Sequence, residues 1–369
     1  MKIFFKKPKK KKILILDRQS CFFIKHFLKK NIFGILDVRY ESINIYVLFY
    51  TFFYVLFNFK LYNQLKNLKH LYIINYISLV SPRTIISTID NNFFFYRIKK
   101  FFPSLKVIII QNGIREDSFF RKLSEYKKKF QLHVDYFFAF NGAFSKKYKK
   151  NIKGNFIAIG NVRNNNFIFK KKKYKHILFI SQSRTNLLSR IKIKKNIFYY
   201  PEFFIFNILK KISKKNKIKL VLLSKQKKNK IFYNYFKFDN IVFSNDKKYK
   251  EKNRYKIIND SILVVFLSST FGYEAFSRGI KVVCLPFYSK KKRLETQIQY
   301  LSFGYPYKIP LKGPFWTNSL LKNAIEKKIN LILKMKNSTW LKIYEKYKFL
   351  MPFDSGNVKI RKIINKTLK

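Results

Sequence analysis

Acidic residues are scarce in this chain of 369 residues, which has 18 Asp and Glu against 80 Lys and Arg and a formal net charge of +62. Such an excess would ordinarily favour nucleic acid or an anionic membrane as a partner. Glycine, proline and alanine are also scarce while Lys, Asn, Ile, Phe and Tyr are abundant, a pattern typical of an AT-rich coding sequence. Because the lysines are spread from end to end without an Arg-rich element, we expect no specific nucleic-acid partner, and an anionic membrane surface stays open.

Cysteine and histidine are rare, and their positions exclude the usual metal and disulfide frameworks. Cys21 and Cys284 stand far apart with neither metal nor redox spacing, which fits a reducing cytoplasm. The four histidines are single, and no pair has the spacing of metal ligands. We therefore expect no metal and no cofactor other than the substrate itself.

Three phosphate and nucleophile motifs are missing from the sequence. It has no Walker GxxxxGK[ST], no GxGxxG and no GxSxG, which argues against an ATPase, a dinucleotide oxidoreductase and an α/β-hydrolase. The apolar ILIL run near the N-terminus is too short for a signal-peptide core. The apolar segment Ile43–Phe59 falls short of the about 20 residues that span a bilayer, and we interpret it as a buried or membrane-facing helix. We expect a cytoplasmic protein, with peripheral attachment to the inner face of the cell membrane left open.

The most informative segment that is present, Ile262–Pro286, predicts a strand, a polar turn, a short helix and a second strand. Ser268, Ser269 and Thr270 follow a β-branched apolar run, at a point where free backbone N–H groups and the helix dipole favour a phosphate. Glu274 lies about one turn into the predicted helix, where a carboxylate suits sugar or ribose hydroxyls. The same residues could also serve only as helix caps.

Strand and helix signals alternate along the whole chain, which predicts two doubly wound Rossmann-like α/β domains of parallel sheet facing each other across a cleft. We expect an acceptor-side domain over residues 1–169, a linker over 170–175 and a nucleotide-sugar-binding domain over 176–316. A helical tail over 317–369 is predicted to pack back across the junction.

Three further polar turns follow predicted strands, where a ligand crevice would collect them. In the second half Ser181, Ser183 and Arg184 offer hydroxyls and a guanidinium that suit a diphosphate. In the first half the turns carry Gln111, Asn112 and Gly113, and then Arg163. Each turn could equally be an ordinary transition from strand to loop.

The carboxylates available as a general base are few. Asp17 and Asp90 each end a predicted strand, while Glu116 and Asp117 follow the Gln-Asn-Gly turn. Sugar transfer from a nucleotide diphosphate needs a stabilised leaving phosphate and often such a base. Any of the four could instead cap a helix.

Several short motifs occur in an order that resembles the bacterial surface carbohydrate biosynthesis proteins, glycosyltransferases akin to those of the two-domain GT-B fold. They cover most of the chain: DRQS from Asp17, LDVRYESINIYVL from Leu36, IIIQNGIRED, IGNVRNN, FISQSR, STFGYEAFSRGIKV and PFDSGN from Pro352.

The resemblance implies a cytoplasmic enzyme that assembles lipopolysaccharide, capsule or a related glycan, with the donor nucleotide held by the C-terminal domain. It implies that Ser269, Thr270 and Gly272 contact phosphate, that Glu274 contacts the sugar or ribose, and that the Gln-Asn-Gly turn faces the acceptor. Many related transferases have His-Gly at that turn, whereas this chain has Asn112 and Gly113, so the resemblance assigns no catalytic base.

We therefore expect a metal-independent, GT-B-like glycosyltransferase that uses a nucleotide-sugar donor and a lipid-linked or growing surface glycan as acceptor. Two alternatives stay open. One is an enzyme of the same fold, either a nucleotide-sugar epimerase or a glycerophosphotransferase. The other is a basic protein without catalysis that binds nucleic acid or membrane.

Overall fold

The computed structural model describes residues 2–28, 30–39, 42–57, 67–169, 175–181, 199–224, 238–243, 251–286, 303–319 and 321–368. Contacts divide the chain into two compact units, each described separately below. The first unit is Met1–Ile114, Ser118–Asn166 and Asp354–Lys369, and the second is Arg115–Asp117 with Phe167–Phe353. Of the predicted linker 170–175, all but Lys175 lies outside the described residues.

The first unit contains a six-stranded parallel sheet in the order β3-β2-β5-β6-β7-β8. Chain order reverses between β2 and β5, and such a switch point is where an open α/β sheet forms its ligand crevice. A separate pair, β1 and β4, is also parallel. The strands are β1 Lys2–Phe4, β2 Ile13–Leu16, β3 Phe33–Leu36, β4 Ser42–Asn44, β5 Thr84–Ser87, β6 Lys106–Ile110, β7 His133–Ala139 and β8 Lys153–Ala158.

Helices cover the six-stranded sheet and supply its apolar core. The β2 and β5 strands are buried along their full lengths, as β-branched strands are when helices pack on both faces. The first helix begins at Arg18, directly after β2, and the Cys21 N–H bonds to the carbonyl of Asp17. The helices are α1 Arg18–Ile24, α2 Ile45–Phe57, α3 Leu68–Val80, α4 Ile98–Phe101, α5 Asp117–Lys129, α6 Gly142–Lys149 and α7 Val162–Asn165.

The second unit contains a five-stranded parallel sheet in the order β11-β10-β9-β12-β13. Its chain order reverses between β9 and β12, which makes that pair the switch point of this sheet. The strands are β9 His176–Ile180, β10 Lys219–Ser224, β11 Asn240–Phe243, β12 Ser261–Phe266 and β13 Val282–Cys284. Its helices are α8 Tyr199–Asn216, α9 Glu251–Asn259, α10 Thr270–Ser277, α11 Lys322–Lys334 and α12 Asn337–Tyr347.

The chain ends in a helix that belongs to the first unit. This helix, α13 Val358–Leu368, buries Ile360 and Ile364 in the core under the six-stranded sheet. Just before it, the Asn357 amide donates to the Val162 carbonyl at 2.9 Å and to the Asn166 side chain at 2.7 Å. A buried polar residue thus fixes the return of the chain. Among the described residues, no helix is both long and apolar enough to cross a membrane.

Candidate functional site

The turn after β12 lies at the switch point of the second sheet. Strand β12 ends at Phe266, and α10 begins at Thr270, so only Leu267, Ser268 and Ser269 separate them. Ser269 occupies the N-cap position with extended backbone but makes no side-chain cap hydrogen bond. Two hydroxyls therefore lie at this edge, that of Ser269 and that of the half-buried Thr270. Together with the N–H groups of the first turn of α10, they make the edge a candidate site for an anion.

Gly272 has a packing role in α10. A Cβ placed on Gly272 would lie 2.1 Å from Cγ of the buried Phe266 ring, so any side chain there would overlap the last residue of β12. The absent side chain lets the helix approach the strand closely, a known use of glycine in nucleotide-binding βα units. The contact that this residue makes in the fold is with Phe266, and phosphate binding by Gly272 stays a prediction.

Glu274 lies within a buried polar cluster one turn into α10. The Tyr255 hydroxyl, from α9, donates to Oε2 of Glu274 at 2.8 Å, and both residues are almost fully buried. Arg278 lies near the same pair and donates to the Phe167 carbonyl at 2.8 Å. Burial lowers the pKa of Arg278 to about 10, while Tyr255 and Glu274 act in the opposite direction. Glu274 is therefore held in one orientation by protein groups, in addition to any ligand that it binds.

The turn after β9 lies on the other side of the same switch point. The Ser181 hydroxyl donates to Oε2 of Glu202 at 2.7 Å, and Glu202 is buried in the first turn of α8. This bond ties the end of β9 to α8, so the hydroxyl is used within the fold. Ser183 and Arg184 lie outside the described residues, and their proposed contact with a diphosphate stays a prediction.

Asp17 lies at the switch point of the first sheet, directly after β2. It is almost fully buried, and its backbone has φ 82°, a conformation that residues other than glycine rarely adopt. The Arg39 guanidinium lies 3.1 Å from the Asp17 carboxylate. Backbone strain of this kind concentrates at functional sites, where the surrounding structure holds it in place. Of the four predicted candidates for a base, Asp17 combines the crevice position with this strain.

Asp90 has a structural role instead. It is fully buried, its Oδ1 accepts from the Asn112 backbone N–H at 3.1 Å, and its Oδ2 accepts from the Tyr148 hydroxyl at 2.7 Å. Both carboxylate oxygens are occupied by the fold. Asp90 therefore positions the turn that follows β6.

The turn after β6 is braced from within. The Gln111 side chain accepts from the Phe140 N–H and donates to the Gly113 carbonyl, each at 2.8 Å. Gln111 is buried and thus shapes the turn, so that its amide is not presented to an acceptor. Asn112 is half-buried, and its side-chain amide makes no hydrogen bond to the residues that the structure describes. Asn112 is therefore the residue of this turn that best suits ligand contact.

The remaining candidates are Arg163 in the first unit and Glu116 and Asp117, which contacts assign to the second unit. Arg163 lies in the first turn of α7, and its guanidinium stacks 4.5 Å from the Phe23 ring centre. Glu116 is half-buried just before α5, and Asp117 is the first residue of that helix. The Tyr305 hydroxyl donates to Oδ1 of Asp117 at 3.0 Å. The roles of Glu116 and Asp117 as a base stay predictions.

Sequence reasoning missed the groups that hold these side chains in place. The Ser20 hydroxyl lies 2.8 Å from the Thr88 hydroxyl and accepts from the Thr88 N–H, joining α1 to the end of β5 across the switch point. Tyr255 and Glu202 are similar supports for the second sheet. Ser20 belongs to the DRQS motif, so the sequence offered a reason to single it out. Tyr255 lies in no such motif. Within the described part of the chain, no group of three or more His, Cys, Asp or Glu is placed to hold a metal ion.

The fold is similar to those of several solved structures. S. aureus MnaA in its UDP co-structure has 14% identity and a TM-score of 0.52, with 96% of this chain and 97% of that chain covered. UDP-GlcNAc 2-epimerase from Neisseria meningitidis bound to UDP-GlcNAc has 14% identity and a TM-score of 0.51, with 100% and 99% covered. The wall teichoic acid polymerase TagF has 8% identity and a TM-score of 0.52, with 98% and 89% covered.

These similarities confirm the predicted fold class, a mixed α/β fold with parallel sheets of the GT-B-like type. No curated protein matches the chain in sequence. A family model does match: it is described as "putative O-antigen biosynthesis protein" and covers residues 108–368, more than half of the chain. The resemblance to surface carbohydrate biosynthesis proteins is thereby confirmed, and the chain belongs to this O-antigen biosynthesis family.

Proposed function

We propose that this protein is a glycosyltransferase that moves a sugar from a nucleotide-sugar donor to a growing O-antigen or related surface glycan. The observation that carries the proposal is the hydroxyl-rich turn Ser268–Thr270, which opens α10 at the switch point of the second sheet. The family match supports the glycan pathway. Two neighbours of the same fold, solved with UDP and with UDP-GlcNAc, support a nucleotide-sugar ligand.

The donor end of the reaction follows from charge. When the glycosidic bond to the donor phosphate breaks, negative charge builds up on the leaving nucleoside diphosphate. The Ser269 and Thr270 hydroxyls and the N-terminal N–H groups of α10 would stabilise that charge. Glu274, oriented by Tyr255, would accept hydrogen bonds from sugar or ribose hydroxyls. Ser183 and Arg184 complete the proposed diphosphate contacts.

The acceptor end needs a group that removes a proton from the attacking hydroxyl. We assign this role to Asp17, because this buried residue with a strained backbone lies at the switch point of the first sheet. Glu116 and Asp117 are the remaining choices. Asn112 would orient the acceptor through its side-chain amide. The proposed reaction uses no metal and takes place in the cytoplasm.

One experiment distinguishes the proposed sugar transfer from two other reactions, nucleotide-sugar epimerisation and glycerophosphate transfer. The purified protein is incubated with UDP-, GDP-, CMP- and dTDP-sugars and with CDP-glycerol, with and without a lipid-linked glycan extract, and products are separated by anion exchange. Release of nucleotide that requires the glycan extract supports the transferase. An epimeric nucleotide sugar formed without acceptor would replace it with an epimerase, and CMP release from CDP-glycerol would replace it with a glycerophosphotransferase.

A basic binding protein without catalysis is the remaining alternative. That alternative predicts binding to duplex DNA that weakens steeply with salt and survives the change Glu274→Ala, since phosphate contacts alone would carry it. The transferase predicts that Glu274→Ala and Thr270→Ala weaken nucleotide-sugar binding. Unchanged donor affinity in both variants would remove the proposed donor site.

A further inference from the structure

Helix α2 presents a broad apolar face to solvent. Five of its side chains are more than half exposed, and all five are apolar. They are Phe49, Phe52, Phe53, Leu56 and Phe57. Soluble proteins seldom leave a contiguous group of large apolar side chains uncovered, so this face is expected to meet a partner.

The opposite face of α2 is already packed. Val47 and Thr51 are buried one turn apart, and the Thr51 hydroxyl accepts a hydrogen bond from the Asn75 amide of α3 at 3.2 Å. The helix is therefore anchored to its own unit along one side. Packing within its own unit explains why the buried side of α2 is apolar, but it does not explain why the exposed side is apolar as well.

A lysine-rich segment adjoins the start of α2. Six lysines lie between Lys6 and Lys12, directly after β1, and β1 pairs with β4, the strand that leads into α2. The Asn44 amide donates to the Lys6 carbonyl at 3.0 Å, while its Oδ1 accepts from the Val47 N–H. The basic segment and the first turn of the helix are thus joined through one buried side chain. Ile3, Phe4 and Phe5 of the same segment are exposed as well.

We propose that the exposed face of α2, together with residues 3–12, docks on the surface of an anionic lipid bilayer. Thirteen helical residues extend about 20 Å, too short to cross a hydrocarbon core of about 30 Å but suited to lying in its interface. Phenylalanine and leucine side chains enter the boundary between headgroups and acyl chains, and the lysines contact anionic headgroups. This inference stands on its own observations and does not require the proposed reaction.

The charge next to this face favours a bilayer over a second copy of the chain. A second copy of the chain would present the same lysine-rich segment and would supply little opposite charge to residues 3–12. Few carboxylates are available to neutralise them, since the chain has 18 Asp and Glu against 80 Lys and Arg. An anionic bilayer supplies the missing opposite charge.

The test separates this surface from the general positive charge of the chain. The chain of 369 residues is sedimented with sucrose-loaded vesicles of equal phosphatidylglycerol and phosphatidylcholine at about 0.15 M salt. Two variants lose the same charge, and each carries four substitutions. The first variant changes the basic segment and carries Lys6→Gln, Lys7→Gln, Lys9→Gln and Lys10→Gln. The control changes exposed positions of α11 and the start of α12 and carries Lys322→Gln, Lys327→Gln, Lys334→Gln and Lys336→Gln.

We expect the first variant to lose vesicle affinity by about tenfold or more, since lysines near the surface each contribute. The control should stay within about twofold of the wild type, because its lysines lie outside the proposed surface. Equal losses in both variants would overturn the proposal, since binding would then depend on net charge alone.

The apolar contribution is tested in the same assay. The variant Phe49→Ser, Phe52→Ser and Phe53→Ser is compared with Leu331→Ser, Leu341→Ser and Phe349→Ser, which removes three apolar side chains exposed elsewhere. Circular dichroism and light scattering check that each variant folds and report its oligomeric state. We expect about a hundredfold loss for the α2 variant and less than about twofold for the control. Undiminished vesicle binding by a folded α2 variant, or a wild-type dimer that this variant dissociates, would overturn the proposal.

Discussion

Replacing Gly272 by alanine is expected to destabilise the second unit strongly. Gly272 is buried in α10, and an added Cβ would lie 2.1 to 2.5 Å from three atoms of the Phe266 ring, Cγ, Cδ2 and Cδ1. Carbon atoms in contact normally lie about 3.5 to 4 Å apart. The ring or the helix must therefore move by more than about 1 Å, and these ring atoms lie at the base of a side chain that is fully buried at the end of β12.

The size of the effect follows from overpacking. Forcing an extra carbon into a packed core costs about 1 to 3 kcal/mol, and the closeness of this overlap places Gly272→Ala near 3 kcal/mol. Alanine would otherwise favour the helix over glycine by about 1 kcal/mol, so the clash must exceed that gain. For a unit of this size, about 3 kcal/mol corresponds to a fall in Tm of about 6 to 12 °C.

The chain carries its own probe for this experiment. Its two tryptophans, Trp316 and Trp340, both lie buried in the second unit. Urea titration followed by tryptophan fluorescence therefore reports the free energy of unfolding of that unit. Gly34→Ala, in β3 of the first unit, is the control, and its unfolding is followed by circular dichroism because the tryptophans report the second unit. A Cβ at Gly34 would have its nearest contact at 3.4 Å, so we expect this variant to stay within about 0.5 kcal/mol of the wild type.

A double variant identifies the cause of the destabilisation. Phe266→Leu combined with Gly272→Ala should recover at least about 1 kcal/mol relative to the sum of the single changes. If Gly272→Ala instead has wild-type stability and loses only nucleotide-sugar binding, then the packing explanation is wrong and Gly272 acts at the phosphate.

Three further substitutions test the roles of Tyr255, Asp17 and His70. Tyr255→Phe removes the hydroxyl that donates to Glu274, and urea titration should show that the free energy of unfolding falls by about 2 kcal/mol. A fall of less than about 0.5 kcal/mol would mean that this bond does not hold the carboxylate. Asp17→Gly should keep the free energy of unfolding within about 1 kcal/mol of the wild type, because relief of the positive φ offsets the greater entropy of the unfolded chain. The same variant should lose sugar transfer, and retained transfer would exclude Asp17 as the base. Burial lowers the pKa of His70 to about 4, so the unfolded chain takes up the proton first, and the first unit should lose stability as pH falls from about 6.5 towards 4. Thermal unfolding followed by circular dichroism over a pH series should show that His70→Phe flattens this dependence, and an unchanged slope would contradict the prediction.

Much of the fold could be predicted because buried parallel strands leave a clear pattern. Strands such as Ile13–Leu16 and His176–Ile180 are short apolar runs bounded by polar turns. Both strands lie at the switch points of their sheets, and ligand binding by the polar residues that follow them stays a prediction. The start of α1 is harder to predict, because its first residues, Arg18 to Ser20, carry no apolar periodicity. The backbone carbonyl of Asp17, which the sequence pattern does not reveal, starts that helix.

The roles of individual polar side chains were harder to predict because they depend on contacts between distant residues. Ser181 looks like a ligand group in its turn, yet its hydroxyl bonds to Glu202 of α8, which lies 21 residues further along the chain. Gln111 similarly braces its own turn through Phe140. The strained φ of Asp17 also has no signature in the sequence, since only the fold imposes it.

A donor site at the start of α10 can be tested by a thermal-shift titration of the chain with UDP-, GDP-, CMP- and dTDP-sugars. Duplex DNA is the control, and the titration is repeated on Thr270→Ala. A donor at one hundred times its Kd should raise the free energy of unfolding by about 2.7 kcal/mol. We expect a rise with one nucleotide family that Thr270→Ala diminishes, while the Tm of the unliganded protein stays unchanged. Stabilisation by DNA alone, or by a nucleotide sugar equally in wild type and Thr270→Ala, would contradict a donor site at the start of α10.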